Sequence, residues 1–420
     1  MTTTSRRDAL MLAAACVLPL RDAGGRPHAD AKRAAGPQQE IASRPEPGPV
    51  YRPEPIPGIE PSGPIMPAYT AACVRGRVQP VFSASGAFMP QMLDTNVENL
   101  CAWIARCSSE AKAKLLLFCE FCLQMARQPA SVSQWLAAAI EVPGPVTDQI
   151  GKAAQAAGAY VGLTVIERIA VFPGRYFLSG IVIAPNGDIV LNARKLYDIS
   201  NKTRPTDVLT AWLDKFGPDS LFPVVDTPLG RLGCVVAADV TWPEAVRNLA
   251  FKGAEVLLNP TASPAASPTA DALRAGAPDI RALVRRVRAY ENQAYLLQSN
   301  LGPVGGDGAA VAMMHSEIIS FGGELLAASC NDNDGFISAS LDINALRRAR
   351  TSMTQNWLAQ TQLAAHLPGY TQARFTPSDG FAVAPLVSAA EQLQQLSQAV
   401  QDLIARGVLQ APGAAAAPPR

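Results

Sequence analysis

The sequence predicts an α/β fold in which two sheets pack together with helices outside. Three observations carry this. Apolar runs of strand length alternate with stretches of helical spacing from Tyr69 onward. The tripeptide Pro185-Asn186-Gly187 separates two strand-like runs, and Asn-Gly tolerates the positive φ of a tight hairpin. Hairpins mixed with strand–helix units argue against one doubly wound parallel sheet. The composition is 48% hydrophobic and 17% charged over 420 residues, enough apolar material for a substantial core.

The elements follow in order. Tyr69–Val81 reads as a first strand. Asn96–Ala113 has helical spacing through Val97, Leu100, Trp103, Ile104 and Cys107, with Thr95 or Asn96 as cap. Lys114–Cys119 is a continuous buried strand, Val146–Ala157 a helix and Tyr160–Glu167 a strand. Phe177–Ala184 and Asp188–Ala193 flank the hairpin turn. Arg231–Ala237 is a strand, and Pro243–Lys252 a helix stopped at Gly253. Glu255–Asn259 is a strand. Ile280–Glu291 is a helix carrying Arg281, Arg285, Arg286 and Arg288. Ala294–Asn300, Ala309–Met314 and Phe336–Leu341 complete the sheets.

The two ends differ from this middle. Ser5-Arg6-Arg7 followed by an apolar run from Ala9 to Leu20 resembles a twin-arginine export signal, with Ala29-Asp30-Ala31 as a cleavage site. A disordered cytosolic leader and an over-called start codon remain open, so the expected location is periplasmic or cytoplasmic. Cys16 makes a poor lipobox. Residues 1–31 form this signal or leader, and 32–67 a Pro-rich linker without apolar periodicity. The folded domain spans 68–350. In the tail, 351–420, Gln355–His366 and Ala389–Arg406 are amphipathic, and Ala411–Arg420 is low-complexity.

Composition narrows the function. Lys+Arg 36 against Asp+Glu 35 gives no footprint for nucleic acid or an anionic membrane. No apolar run beyond the N-terminus is long enough for a transmembrane helix. Eight cysteines do not make a disulfide scaffold in a chain this long. His28, His315 and His366 lack ligand spacing, so no metal is expected, and no cofactor either.

Three separated segments carry the chemistry: Leu115–Gln124 (LLLFCEFCLQ), Ile189–Asp198 (IVLNARKLYD) and Gly230–Glu244 (GRLGCVVAADVTWPE). Glu120 leaves a buried strand end, where packing fixes the position of a carboxylate. Lys195 ends a hairpin strand beside Arg194. Alone, Glu120 reads more readily as a carboxylate closing a strand, and Lys195 as part of a solvated basic pair. The third segment combines a glycine pair, a run of small apolar residues, Asp239, and a Trp242-Pro243-Glu244 helix start.

Together these segments resemble the carbon-nitrogen hydrolase (nitrilase/amidase) family. Arg247, Ala250, Gly253-Ala254-Glu255 and Asn259-Pro260 continue the match, as do Arg288–Tyr295 with Asn300, Gly322–Ala327, and Leu341-Asp342-Ile343. The resemblance runs from about Tyr69 to Arg350. It implies a four-layer α-β-β-α sandwich of the nitrilase type and homo-oligomers, a dimer or larger. It also implies a Glu-Lys-Cys site acting on small amides or nitriles. Glu120 then takes the general-base position and Lys195 the oxyanion partner. The nucleophile position, two residues before Asp239, falls on Ala237. Two further departures accompany it: Ala193 replaces an aromatic residue, and no glutamate lies between Lys195 and the nucleophile strand. Asp207, Asp214 and Asp219 are the candidates for the family's second acid, with Asp214 nearest the usual place.

Alanine cannot form an acyl-enzyme, and losing a covalent nucleophile removes several orders of magnitude of rate. Cys234 lies three residues earlier, and strand alternation sends it to the opposite face. Cys119 and Cys122 form Cys-x-x-Cys around Glu120 but lie at a strand end, which favours core packing over redox chemistry. The leading expectation is a pseudoenzyme that binds a small amide or nitrile-like ligand or serves a regulatory role. An active hydrolase remains open, by Glu120-activated water or Cys234, as does an engineered alanine in an ordinary amidase. A weaker reading makes the leader and tail the functional parts and the domain their scaffold.

Overall fold

The computed structural model describes residues 59, 65–127, 129–197, 202–262, 280–304, 315–329, 334–352, 356–373, 378–383 and 388–413. The leader, most of the Pro-rich linker, the expected strand Ala309–Met314 and the end of the Ala/Pro-rich stretch lie outside them.

Twelve strands among the described residues form two six-stranded sheets. The first contains β1 (Tyr69–Arg75), β2 (Leu115–Leu117), β3 (Tyr160–Glu167), β4 (Phe177–Ile183), β5 (Ile189–Arg194) and β12 (Gly335–Leu341), in the order β12-β1-β2-β3-β4-β5. The second contains β6 (Val224–Thr227), β7 (Gly230–Cys234), β8 (Val256–Pro260), β9 (Tyr295–Ser299), β10 (Glu317–Ile319) and β11 (Leu325–Ala328), in the order β11-β10-β9-β8-β7-β6. Each sheet is parallel at its centre and antiparallel toward its edges. The four-layer α-β-β-α sandwich is therefore the architecture.

The sheets meet through one apolar layer. Leu117, Leu163 and Ile181 from the first sheet share a buried cluster with Leu232, Leu258 and Leu297 from the second. Close approach is enforced at Gly180 of β4: a Cβ there would lie 2.6 Å from Cys234 Sγ and 3.0 Å from Val236 Cγ2. A second cluster, with Val246, Leu249, Leu257, Ala289 and Leu296, seals the outer helices onto the second sheet.

The helices on the first sheet are α1 (Pro90–Ala111) and α3 (Pro145–Ala157), with the short α2 (Val132–Ala138) between them in sequence. α1 begins six residues earlier than its periodicity suggested, because Pro90 supplies the first helical position. Neither Thr95 nor Asn96 is its cap. Thr95 Oγ1 donates to Gln91 O, and buried Asn96 bridges Gln79 and Leu123. α4 (Leu209–Phe216) follows the lysine segment. α5 (Pro243–Phe251) and α6 (Ile280–Asn292) cover the second sheet. Four further helices are α7 (Ile343–Arg350), α8 (Trp357–Gln360), α9 (Leu363–Gln372) and α10 (Ala389–Ala405). The last is closed at its start by a Ser388/Glu391 capping box. No described helix is long and apolar enough to cross a membrane.

Candidate functional site

The site forms where the ends of β2, β5, β7 and β8 come together. β2 stops at Leu117, and the chain crosses to the other sheet: the Glu120 amide donates to Thr261 O at 3.1 Å. The next residue, Phe121, takes a left-handed φ of 60°, and its amide is held by Thr164 Oγ1 at 2.9 Å. The Glu120 side chain is 1% exposed. Its Oε1 accepts from Lys195 Nζ at 3.0 Å, and its Oε2 from the Ala262 amide at 3.1 Å.

Lys195 directly follows β5 and is buried. Its own amide continues the ladder to Leu178 O. The next two amides leave the ladder together: Leu196 and Tyr197 donate to Asp239 Oδ2 and Oδ1, both at 2.9 Å. Asp239 lies two residues past Ala237, so one buried carboxylate ties the lysine segment to the third segment.

Ala237 does not sit on a strand. β7 ends at Cys234, and Ala237 opens a 3-10 turn to Thr241 with φ of 47°. A left-handed conformation in a non-glycine residue costs about 1–2 kcal/mol, so the surroundings must hold it. Asn259 does so: its Nδ2 donates to Val235 O at 2.8 Å and to Ala237 O at 3.1 Å. The Tyr197 and Trp242 rings stack nearby, centroids 4.2 Å apart.

The expected strand Arg231–Ala237 is thus shortened by this turn. Cys234 is packed between the sheets against Gly180, and burial pushes its thiol well above the ordinary range, with Asp239 adding to the shift. Cys119 and Cys122 are both free thiols. Burial also raises both, Cys122 to about 12. Cys122 Sγ lies 3.6 Å from Thr164 O.

Asp214 is not brought to Glu120 and Lys195. It is exposed on α4 and lines a separate cavity of about 650 Å³ with Phe172, Arg175, Val208, Thr210 and Asp379. Helix geometry explains this: α4 buries Trp212 against Phe172 and Phe177, which turns Asp214 outward. The buried carboxylate of this interval is Asp207, clamped by Arg204 at 2.6 Å. Asp219 is exposed and pairs with Lys252 at 2.7 Å. No group of three or more His, Cys, Asp or Glu able to hold a metal occurs among the described residues.

Three supporting residues had no role assigned from sequence. Asp239 and Asn259 act through backbone atoms far away in the chain, which periodicity cannot register. Lys202 is buried, with its ammonium 5.3 Å from the Phe121 ring centroid. Nothing in its local sequence marked it.

Comparisons with known proteins agree with this architecture. The omega-amidase NIT2-B of Xenopus laevis is 27% identical over 216 residues, covering 50% of this chain and 71% of that protein. Human omega-amidase NIT2 is 26% identical over 259 residues, covering 61% and 86%. Among solved structures, a carbon-nitrogen hydrolase from Helicobacter pylori G27 superposes with a TM-score of 0.55 at 18% identity, covering 73% of this chain and 99% of that one. An amidase from Nesterenkonia sp. gives 0.52 at 19%, covering 74% and 100%. The carbon-nitrogen hydrolase family model matches residues 84–351. That span holds all three motif segments and most of both sheets, and the chain belongs to the carbon-nitrogen hydrolase family.

Proposed function

We propose that this protein holds a small amide or nitrile-like ligand at the Glu120–Lys195–Ala237 corner and does not form an acyl-enzyme there. What supports this reading is Ala237, held left-handed in the turn whose Asp239 grips the two amides after Lys195, the partner of Glu120. A methyl group has no lone pair to attack a carbonyl carbon. The remaining groups suit an amide: the Lys195 ammonium donates to its oxygen, and Glu120 accepts from its N–H. The names of the relatives support the ligand class, since they include omega-amidases, a formamidase and bifunctional nitrilase/nitrile hydratases.

A second reading is favoured by one feature of Glu120. Its two carboxylate oxygens accept one described donor each, leaving acceptor capacity for a water. In that route a water oxygen adds to the amide carbon while Glu120 takes its proton. Lys195 holds the oxyanion, and Glu120 returns the proton to the departing amine as the C–N bond breaks.

Incubating the purified protein with small amides, nitriles and N-carbamoyl compounds separates the two. Ligand-dependent thermal stabilisation without ammonia release is expected. Ammonia release abolished by Glu120→Gln but not by Cys234→Ala would establish the water route instead. Release abolished by Cys234→Ala would put the nucleophile in the sheet interface.

A further inference from the structure

The family model ends at residue 351, yet the chain beyond it returns to the loop that follows Lys195. The Asp379 amide donates to Thr206 O at 3.0 Å, and the Phe381 amide to Asp207 O at 3.2 Å. The Asp379 carboxylate accepts from the Thr210 amide and hydroxyl at 2.8 and 2.9 Å, closing the start of α4. Arg175 Nη2 donates to Phe381 O at 2.5 Å. From α10, Gln392 Nε2 reaches Lys202 O at 3.4 Å. Phe381 is 5% exposed and Gln392 3%. This is a docked segment rather than a tail lying on the surface: donors and acceptors are paired from both sides, and an apolar side chain is buried. Asp379 takes a left-handed φ of 60° to do so.

The loop it grips bears directly on the site. Lys202 lies at its start, with the ammonium on the Phe121 face, and Phe121 is the residue after Glu120. Cation–π attraction falls off as the cation leaves the ring, so this placement depends on where the Lys202 backbone is held. Thr203 fixes one side, its amide donating to Tyr176 O at 3.1 Å, and Gln392 fixes the Lys202 carbonyl itself.

We propose that residues 379–383 and 388–392 form a positioning strap for the ligand site. Asp379 and Gln392 hold the 202–210 loop, and the loop in turn holds the Lys202 ammonium over the ring of Phe121, the residue after Glu120. The strap matters to function only if the Glu120–Lys195–Ala237 corner is the ligand site.

The test uses the full chain carrying Ala237→Cys, so that a thiol at the elbow reports on its surroundings. Carbamidomethylation by iodoacetamide and carboxymethylation by iodoacetate at position 237 are timed by peptide mapping. The ratio of the two rates reads the local positive charge and is insensitive to a general change in thiol access. Lys202→Met should lower the iodoacetate-to-iodoacetamide ratio by about threefold, the scale of one screened charge. Asp379→Ala and Gln392→Ala should each lower it in the same direction. Adding either to Lys202→Met should change it no further, because both act through that ammonium. Asp379→Asn, which keeps an acceptor for Thr210, should restore the ratio. Should Asp379→Ala fail to fold, Gln392→Ala and Asp379→Asn carry the test. Folded strap variants with the parental ratio, or effects that add fully to Lys202→Met, would overturn the strap. A thiol at 237 that reacts with neither reagent would overturn the site reading itself.

Discussion

Arg194 and Lys195 are consecutive residues at one strand end, and each meets a buried glutamate. Their surroundings are opposite in kind. Arg194 donates from Nε and Nη2 to Glu167 at 2.9 and 2.8 Å. Ser179 and Asn192 add two more donors to the same carboxylate, and the guanidinium lies over the Trp212 and Phe216 rings. Glu167 is saturated and the arginine is covered by aromatic rings. Glu120, by contrast, accepts from Lys195 and one backbone amide, and the lysine segment is tied through Asp239 to the turn that Ala237 opens. Strand alternation sends the two cations to different sides. A buried ion pair is therefore no sign of a site by itself. The difference lies in how much hydrogen-bonding capacity the protein leaves unused and what stands next to it.

Substitution separates the two ion pairs. The largest effect is expected from Ala237→Cys. It places a thiol beside Glu120 as base and Lys195 as oxyanion partner, and adds a single sulfur to the elbow. Hydrolysis of a small amide should rise by about three or more orders of magnitude over the parent, and a thiol alkylator should abolish it. A variant that folds yet stays inert across a broad amide panel would show that the pocket has drifted by more than one residue.

In that background Glu120→Gln should cost about 10²–10⁴-fold in rate. Glu167→Gln should instead leave the rate of the folded protein unchanged while lowering stability by about 3–5 kcal/mol, the cost of breaking a buried pair. Rate assays paired with urea melts decide this, and equal rate losses in both variants would mean that the two buried pairs serve the reaction alike.

Gly180→Ala should destabilise by about 1–3 kcal/mol through overpacking against Cys234, and Cys234→Ala should relieve part of it. Failure of that rescue in a double-mutant cycle would mean that the sheets do not meet as described.

A further effect is in pH. Burial raises the Cys107 and Cys122 thiols to about 12. Unfolding returns them to an ordinary value of about 8.5. Below that value both states hold the proton. As pH rises above it the unfolded chain loses protons that the folded chain keeps, so stability falls across the window up to about 12. Urea midpoints at neutral pH and near pH 10 measure this, and replacing both cysteines with alanine should reduce the difference, leaving the share carried by the buried Cys119 and Cys234 thiols.

How much of this was legible beforehand depended on distance along the chain. The strand Tyr160–Glu167 was readable to the residue because its apolar run is long and bounded by Gly158 and polar neighbours. The strands Val224–Thr227, Glu317–Ile319 and Leu325–Ala328 were not read as strands, since three or four residues hold too little periodicity to separate a strand from a turn. Glu120, Lys195 and Ala237 were legible only as an ordered set of motifs. What holds them was not: Asp239 grips backbone amides of the lysine segment, and Asn259 grips carbonyls of the elbow. Neither contact leaves a local trace. Asp214 was chosen by sequence position, and the demand of Trp212 for the interior outweighed it.

The amide of Asn259 has a wider consequence. It contacts only main-chain oxygens of the elbow, so the direction in which the side chain at 237 points is set without reference to what that side chain is. Aim and reactivity are carried by different residues. Cysteine, serine or alanine would each be presented from the same backbone, and a change of chemistry there need not be accompanied by a change of fold. Loss of Asn259, in contrast, would let the backbone at 237 relax toward an ordinary conformation and spoil the aim of any group placed there.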